Sequence, residues 1–133
     1  MRVLVIDDSS DINDLLVKIL STAGHVVVSS DNGRDGLKMI RDHKFDAVFL
    51  DIAMPDFSGL DVIDELEKTN ELRRNVIVLF TASSITEAEV DELVARGVHS
   101  CLRKPVQIEN LFGKLQEIES QALPGSVGGT RQP

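Results

Sequence analysis

The sequence predicts an α/β fold: a doubly wound (βα)5 sandwich, with a five-stranded parallel sheet and helices on both faces. Three observations predict it. Five short runs rich in Val, Ile, Leu and Phe occur at residues 3–6, 26–28, 47–50, 76–80 and, more weakly, 101–102. They do not alternate with polar residues, which is how strands covered on both faces read. Segments of helical period lie between them. Strict alternation of strand and helix implies βαβ units, and right-handed crossovers then limit the topology to a doubly wound sheet.

The elements follow in order. The first strand, residues 3–6, leads to Ile12, Leu15, Leu16, Ile19, Leu20 and Ala23, spaced as one helix face, with Gly24 as the stop. Residues 26–28 form a second strand. Asn32 then caps a shorter helix carrying Leu37 and Ile40. The third strand, 47–50, precedes a helix capped by Ser58 and marked by Leu60, Ile63 and Leu66. After the fourth strand, Thr86 and Glu89 match a capping box, Val90, Leu93 and Val94 mark the helix, and Gly97 ends it. A last strand at Cys101 and Leu102 leads to a fifth helix with Ile108, Leu111, Phe112, Leu115 and Ile118. The expected domain spans 1–121. Residues 122–133, with Pro124, Gly125, Ser126, Gly128, Gly129 and Pro133, read as a flexible tail or the start of a linker.

Composition narrows the function. At 42% hydrophobic and 27% charged residues, the chain reads as an ordinary globular domain. Fourteen Lys and Arg against 22 Asp and Glu give a net charge of −8, which disfavours binding to a phosphate backbone. No apolar run approaches the ~20 residues of a membrane span, and the N-terminal run is too short for a signal peptide. The single cysteine, Cys101, excludes an internal disulfide and fits a reducing cytoplasm.

In open parallel sheets, ligands bind beyond the carboxyl ends of the strands. Those ends carry Asp7-Asp8, Ser29-Ser30, Asp51, Thr81 and Lys104-Pro105. Three neighbouring carboxylates repel one another, so one takes a proton or a cation binds. An all-oxygen donor set points to Mg²⁺ rather than zinc, with Mn²⁺ as the alternative. One carboxylate can act as nucleophile toward a phosphoryl group, while a lysine and a threonine hydroxyl serve its oxygens. Each residue has an ordinary reading too. Asp51 alone suits a turn, Asp7-Asp8 suits the start of a helix, Thr81 suits a strand, and Lys104 suits a solvated surface. Cys101 reads as a small buried strand residue. His25, His43 and His99 do not cluster, no Gly-x-Ser-x-Gly elbow surrounds the serines, and no P-loop is present.

The combination resembles the receiver domain of bacterial and archaeal two-component response regulators. The carriers are Val-Leu-Val-Ile-Asp7-Asp8-Ser9, then Asp51-Ile-Ala-Met54-Pro55-Asp-Phe-Ser-Gly59, then Phe80-Thr81-Ala82, then Arg103-Lys104-Pro105. The resemblance implies strand order 2-1-3-4-5. It implies Asp51 as phosphoacceptor, Asp8 as a direct Mg²⁺ ligand, Asp7 as one acting through water, and the backbone carbonyl of Ala53 as a third protein ligand. By the same resemblance Thr81, the backbone amide of Ala82, and Lys104 contact the phosphoryl group. Pro55 and Gly59 shape the loop after the acceptor, and the Lys104–Pro105 peptide is cis. Such a protein is a switch that catalyses only its own phosphorylation and dephosphorylation. It takes the group from a histidine kinase or phosphotransfer protein. It then controls a partner protein through its fourth helix, fifth strand and fifth helix, as a monomer or a weak phosphorylation-dependent dimer. It neither binds nucleic acid directly nor inserts into a membrane.

The chain departs from the family pattern at two places. Cys101 stands where relatives often carry an aromatic ring that swings inward, and Ala53 gives no polar side chain two residues after the acceptor. Two other functions are set against the switch: a metal-dependent phosphohydrolase of haloacid-dehalogenase type, and a pseudo-receiver that only binds a partner.

Overall fold

The computed structural model of the chain describes residues 1–82 and 85–122. Five strands alternate with five helices: β1 (Arg2–Ile6), α1 (Ser10–Thr22), β2 (Val26–Ser30), α2 (Gly33–Asp42), β3 (Ala47–Asp51), α3 (Gly59–Lys68), β4 (Ile77–Thr81), α4 (Glu87–Arg96), β5 (Ser100–Arg103) and α5 (Ile108–Ala122). A short 3-10 turn at Leu72–Arg74, which hydrophobic periodicity does not signal, joins α3 to β4. The strands are all parallel in the order β2-β1-β3-β4-β5, as expected. The expected tail at 122–133 falls outside the described residues from 123 onward, and α5 runs through Ala122.

Strand alternation divides the core into two layers. Leu4, Ile6, Val48, Leu50, Ile77 and Leu79 face one side, where Leu37, Ile40, Val62, Ile63, Leu66 and Leu93 of α2, α3 and α4 cover them. Val3, Val5, Phe49, Val78 and Phe80 face the other side, against Leu16 and Leu20 of α1 and Leu111, Leu115 and Ile118 of α5. Central strands β3 and β4 are buried along their whole length. Each such aliphatic side chain contributes about 1.5–3 kcal/mol by leaving water.

Caps fix where the helices begin. Asn32 accepts from the Asp35 amide, and Ser58 and Thr86 each form a reciprocal capping box, with Asp61 and Glu89. Gly24 (φ 98°) and Gly97 (φ 136°) end α1 and α4 in a backbone region that side chains disfavour.

Several expectations need correction. Ser9 caps α1, by accepting from the Ile12 amide, and not Asp7 or Asp8. The acidic pair is thereby left to the site. Leu15, Leu60, Val94 and Ile108 lie on the expected apolar faces but are 40–56% exposed, because each sits at the margin of its helix's buried stripe. β2 is not covered on both faces. As an edge strand it leaves Val26 and Val28 exposed. Cys101 is only partly buried, since β5 forms the opposite edge.

Candidate functional site

Parallel strands bring their carboxyl ends to one rim, and the sheet register decides which residues share it. Ile6 pairs with Leu50, so Asp7 and Asp51 emerge side by side. Asp51 pairs with Phe80, and Thr81 with Arg103, which places Thr81 and Lys104 one step further along the same rim. Carboxylate oxygens of Asp7, Asp8 and Asp51 all lie within 4.8 Å of one another. Asp7, Asp51 and Thr81 are buried, while Asp8 is exposed and opens the site to solvent.

Lys104 enters from the far side. Its peptide bond to Pro105 is cis. Lys104 Nζ donates to Asp7 Oδ2 at 2.7 Å, stands 3.5 Å from Asp51 Oδ2, and lies 4.9 Å from the centre of the Phe80 ring. The Asp51 carboxyl is pushed up to about 6, mainly by burial and then by the nearby charge of Asp7, with Lys104 and the Ala53 amide acting in the opposite direction. At neutral pH the group is therefore mostly ionised and still strongly basic for a carboxylate.

The loop after Asp51 is held by backbone contacts. The Ala53 amide lies 3.4 Å from Asp51 Oδ1, and the Gly59 amide donates to the Ile52 carbonyl at 2.9 Å. A Cβ on Gly59 would fall 2.3 Å from the Asp51 carbonyl oxygen, so only glycine lets α3 start this close to the end of β3. Pro55 is exposed at the bend, and Asp56 adopts a positive φ of 66° there. Ala82 is exposed just beyond Thr81; Ser83 and Ser84 lie outside the described residues. Cys101 is not part of the rim. It pairs with Leu79, two residues before Thr81, and packs against the α2–α4 side of the core.

Sequence reasoning missed three supports. Asn13, on a buried position of α1, donates from Nδ2 to the carbonyls of Asp7 and Ser30, tying β1 to β2 beneath the acidic pair. Its polarity at a core position of an amphipathic helix was the available signal. The Ser9 amide donates to Asp7 Oδ1 at 2.9 Å, orienting that carboxylate. Gly33 lets α2 approach the loop, since a Cβ there would fall 2.3 Å from the Phe57 carbonyl oxygen. Neither of these last two leaves a periodic trace in sequence.

Comparison with known proteins agrees with this geometry. The family model "Response regulator receiver domain" matches residues 3–116. The chain is 36% identical over 115 residues to the uncharacterised transcriptional regulatory protein YrkP of Bacillus subtilis, covering 86% of this chain and 47% of that protein. It is 30% identical over 119 residues to protein PilH of Pseudomonas aeruginosa, covering 88% of this chain and 96% of the relative. Among solved structures, response regulator TrrA of Thermotoga maritima in complex with Mg²⁺-BeF superposes with a TM-score of 0.73 at 30% identity, covering 88% of this chain and 97% of that one. The chain thus spans about half the length of some curated relatives and nearly all of others. With a parallel 2-1-3-4-5 sheet, an acidic triad at its rim and a family match over most of its length, the chain belongs to the receiver domains of two-component response regulators.

Proposed function

We propose that Asp51 accepts a phosphoryl group from a histidine kinase or phosphotransfer protein and that the modified domain controls a downstream partner in the cytoplasm. One observation carries this reading: three carboxylates within 4.8 Å share a rim with an ammonium 2.7 Å from Asp7 and 3.5 Å from Asp51. An ionised Asp51 oxygen attacks phosphorus, the bond from phosphorus to the donor nitrogen breaks, and its electron pair stays on the departing imidazole. Lys104 moves from Asp7 toward the new phosphoryl oxygens and balances their charge. The Thr81 hydroxyl and the Ala82 amide donate to the same group.

An all-oxygen set of three carboxylates fits Mg²⁺, or Mn²⁺ in its place. Asp8, Asp7, Asp51 and the Ala53 carbonyl would hold the ion, which when bound neutralises charge on the transferring group. Pro55, Gly59 and Pro105 shape the two loops that carry these atoms. We further propose that the receiver unit closes with α5, that the residues after Ala122 begin a linker or tail, and that the domain is a monomer or a weak phosphorylation-dependent dimer.

The phosphohydrolase reading is not favoured by the family match. Turnover separates the two: with acetyl phosphate and Mg²⁺ the switch incorporates one phosphoryl group per chain, whereas a phosphohydrolase releases many equivalents of phosphate from external phosphomonoesters. Multiple turnover of external phosphomonoesters would overturn the proposal.

A further inference from the structure

Arg103 sits between two residues of interest, and its contacts lie outside the acidic site. It pairs in register with Thr81, two positions after Cys101 pairs with Leu79. Because strand side chains alternate, Cys101 and Arg103 share one face of β5, the face that carries α4. From there the guanidinium reaches Ile85 and the first turn of α4. Nη1 donates to the Ile85 carbonyl at 2.8 Å, and Nη2 lies 3.2 Å from Glu87 Oε1 in the first turn of α4.

The two contacts differ in strength. Glu87 is 87% exposed in its side chain, so its ion pair is screened by water. The bond to the Ile85 carbonyl is charge-assisted and partly buried. It joins β5, one residue before Lys104, to the backbone just before α4. In the same arrangement Lys104 is bonded to Asp7, nearer than to Asp51.

We infer that Arg103 is a positioning residue: its bond to the Ile85 carbonyl latches Ile85 and the start of α4 in the arrangement where Lys104 rests on Asp7. This rests on the phosphoacceptor reading above. A phosphoryl group that draws Thr81 and Ala82 toward Asp51 pulls Ile85 off Arg103. The latch therefore sets how far the resting population outweighs the active one. Cys101 has no ring to occupy this face, and the guanidinium ties β5 to the start of α4.

The test uses the full chain and two readouts. Hydrogen exchange without any ligand reads the latch alone. Arg103→Ala should speed exchange of the Thr86–Val90 amides several-fold, Arg103→Lys should give an intermediate effect, and Glu87→Gln should behave like the parent. Titration with beryllofluoride and Mg²⁺ reads the coupling, and Arg103→Ala should bind several-fold more tightly than the parent. Unchanged exchange in Arg103→Ala overturns the latch, whatever the titration gives. Weaker beryllofluoride binding in Arg103→Ala overturns its assignment to the resting arrangement. Equal effects of Glu87→Gln and Arg103→Ala overturn the role of the carbonyl bond. Failure of the parent itself to bind beryllofluoride counts against the phosphoacceptor reading, and the exchange result still decides the latch.

Discussion

Lys104 donates to Asp7 at 2.7 Å across 97 positions of sequence, and the two residues follow strands that are not neighbours in the sheet. The ends of β3 and β4 lie between them in the sheet, and the ammonium that reaches Asp7 also comes 3.5 Å from Asp51 Oδ2. This pair closes the rim and neutralises a carboxylate that is 1% exposed. Lys104→Met should leave Asp7 and Asp51 together without a cation. We expect a loss of about 3 kcal/mol at pH 7 in metal-free buffer. The deficit should shrink at pH 5, where Asp51 takes up a proton. Urea denaturation at both pH values checks this, and an equal deficit at both would argue against charge as the cause.

Asp51 itself should destabilise the fold near neutrality. Its carboxyl titrates at about 6 in the fold against 3.8 ordinarily, so between these values the folded state holds the proton more tightly than the unfolded chain. Stability contributed by this group is greatest below about pH 4 and falls as pH rises through 6. At about 1.4 kcal/mol for each pKa unit, the penalty at pH 7 is on the order of 2–3 kcal/mol. Asp51→Asn should therefore raise the melting temperature at pH 7, and the gain should fade below pH 4. A constant gain at every pH would point to packing rather than ionisation.

Gly59 gives a steric test of the loop. Gly59→Ala places a Cβ against backbone atoms of Asp51 and Ile52, 2.3 Å and 2.8 Å away, which cannot give way as a side-chain tip can. A loss of about 2 kcal/mol or more is expected, with slower labelling of Asp51. Gly113→Ala is the control. Its Cβ would meet nothing within 4 Å in α5, so it should be neutral or stabilise by up to about 1 kcal/mol. Chemical denaturation of the two variants makes the comparison.

These sites show what the sequence made legible. Strand positions were readable because β1, β3 and β4 are buried on both faces and so lack polar interruption. Asp7, Asp8, Asp51, Thr81 and Lys104 were readable because parallel strands send all their carboxyl ends to one rim. The margins were less readable. Leu15 and Val94 keep helical spacing while facing water, because periodicity marks a stripe and not its edges. Asn13, Ser9 and Gly33 act through the carbonyls and amides they meet, and backbone partners are visible only once the chain has folded.

How the signal leaves the rim can be tested at two positions. Thr81 ends β4 beside the site, while Cys101 lies off the rim against the α2–α4 side of the core. Thr81→Ala should still be labelled at Asp51 but should lose the amide shifts of residues 85–90 on beryllofluoride addition. Cys101→Ala should respond nearly like the parent. NMR spectra with and without beryllofluoride check both. A response lost in Cys101→Ala and kept in Thr81→Ala would reverse the proposed route.

The central claim is that Asp51 receives the phosphoryl group, and intact-protein mass spectrometry tests it most directly. With acetyl phosphate and Mg²⁺, the parent chain should gain one phosphoryl group of about 80 Da, labile as an acyl phosphate is, and Asp51→Asn should gain none. Equal labelling of the two proteins would contradict the account.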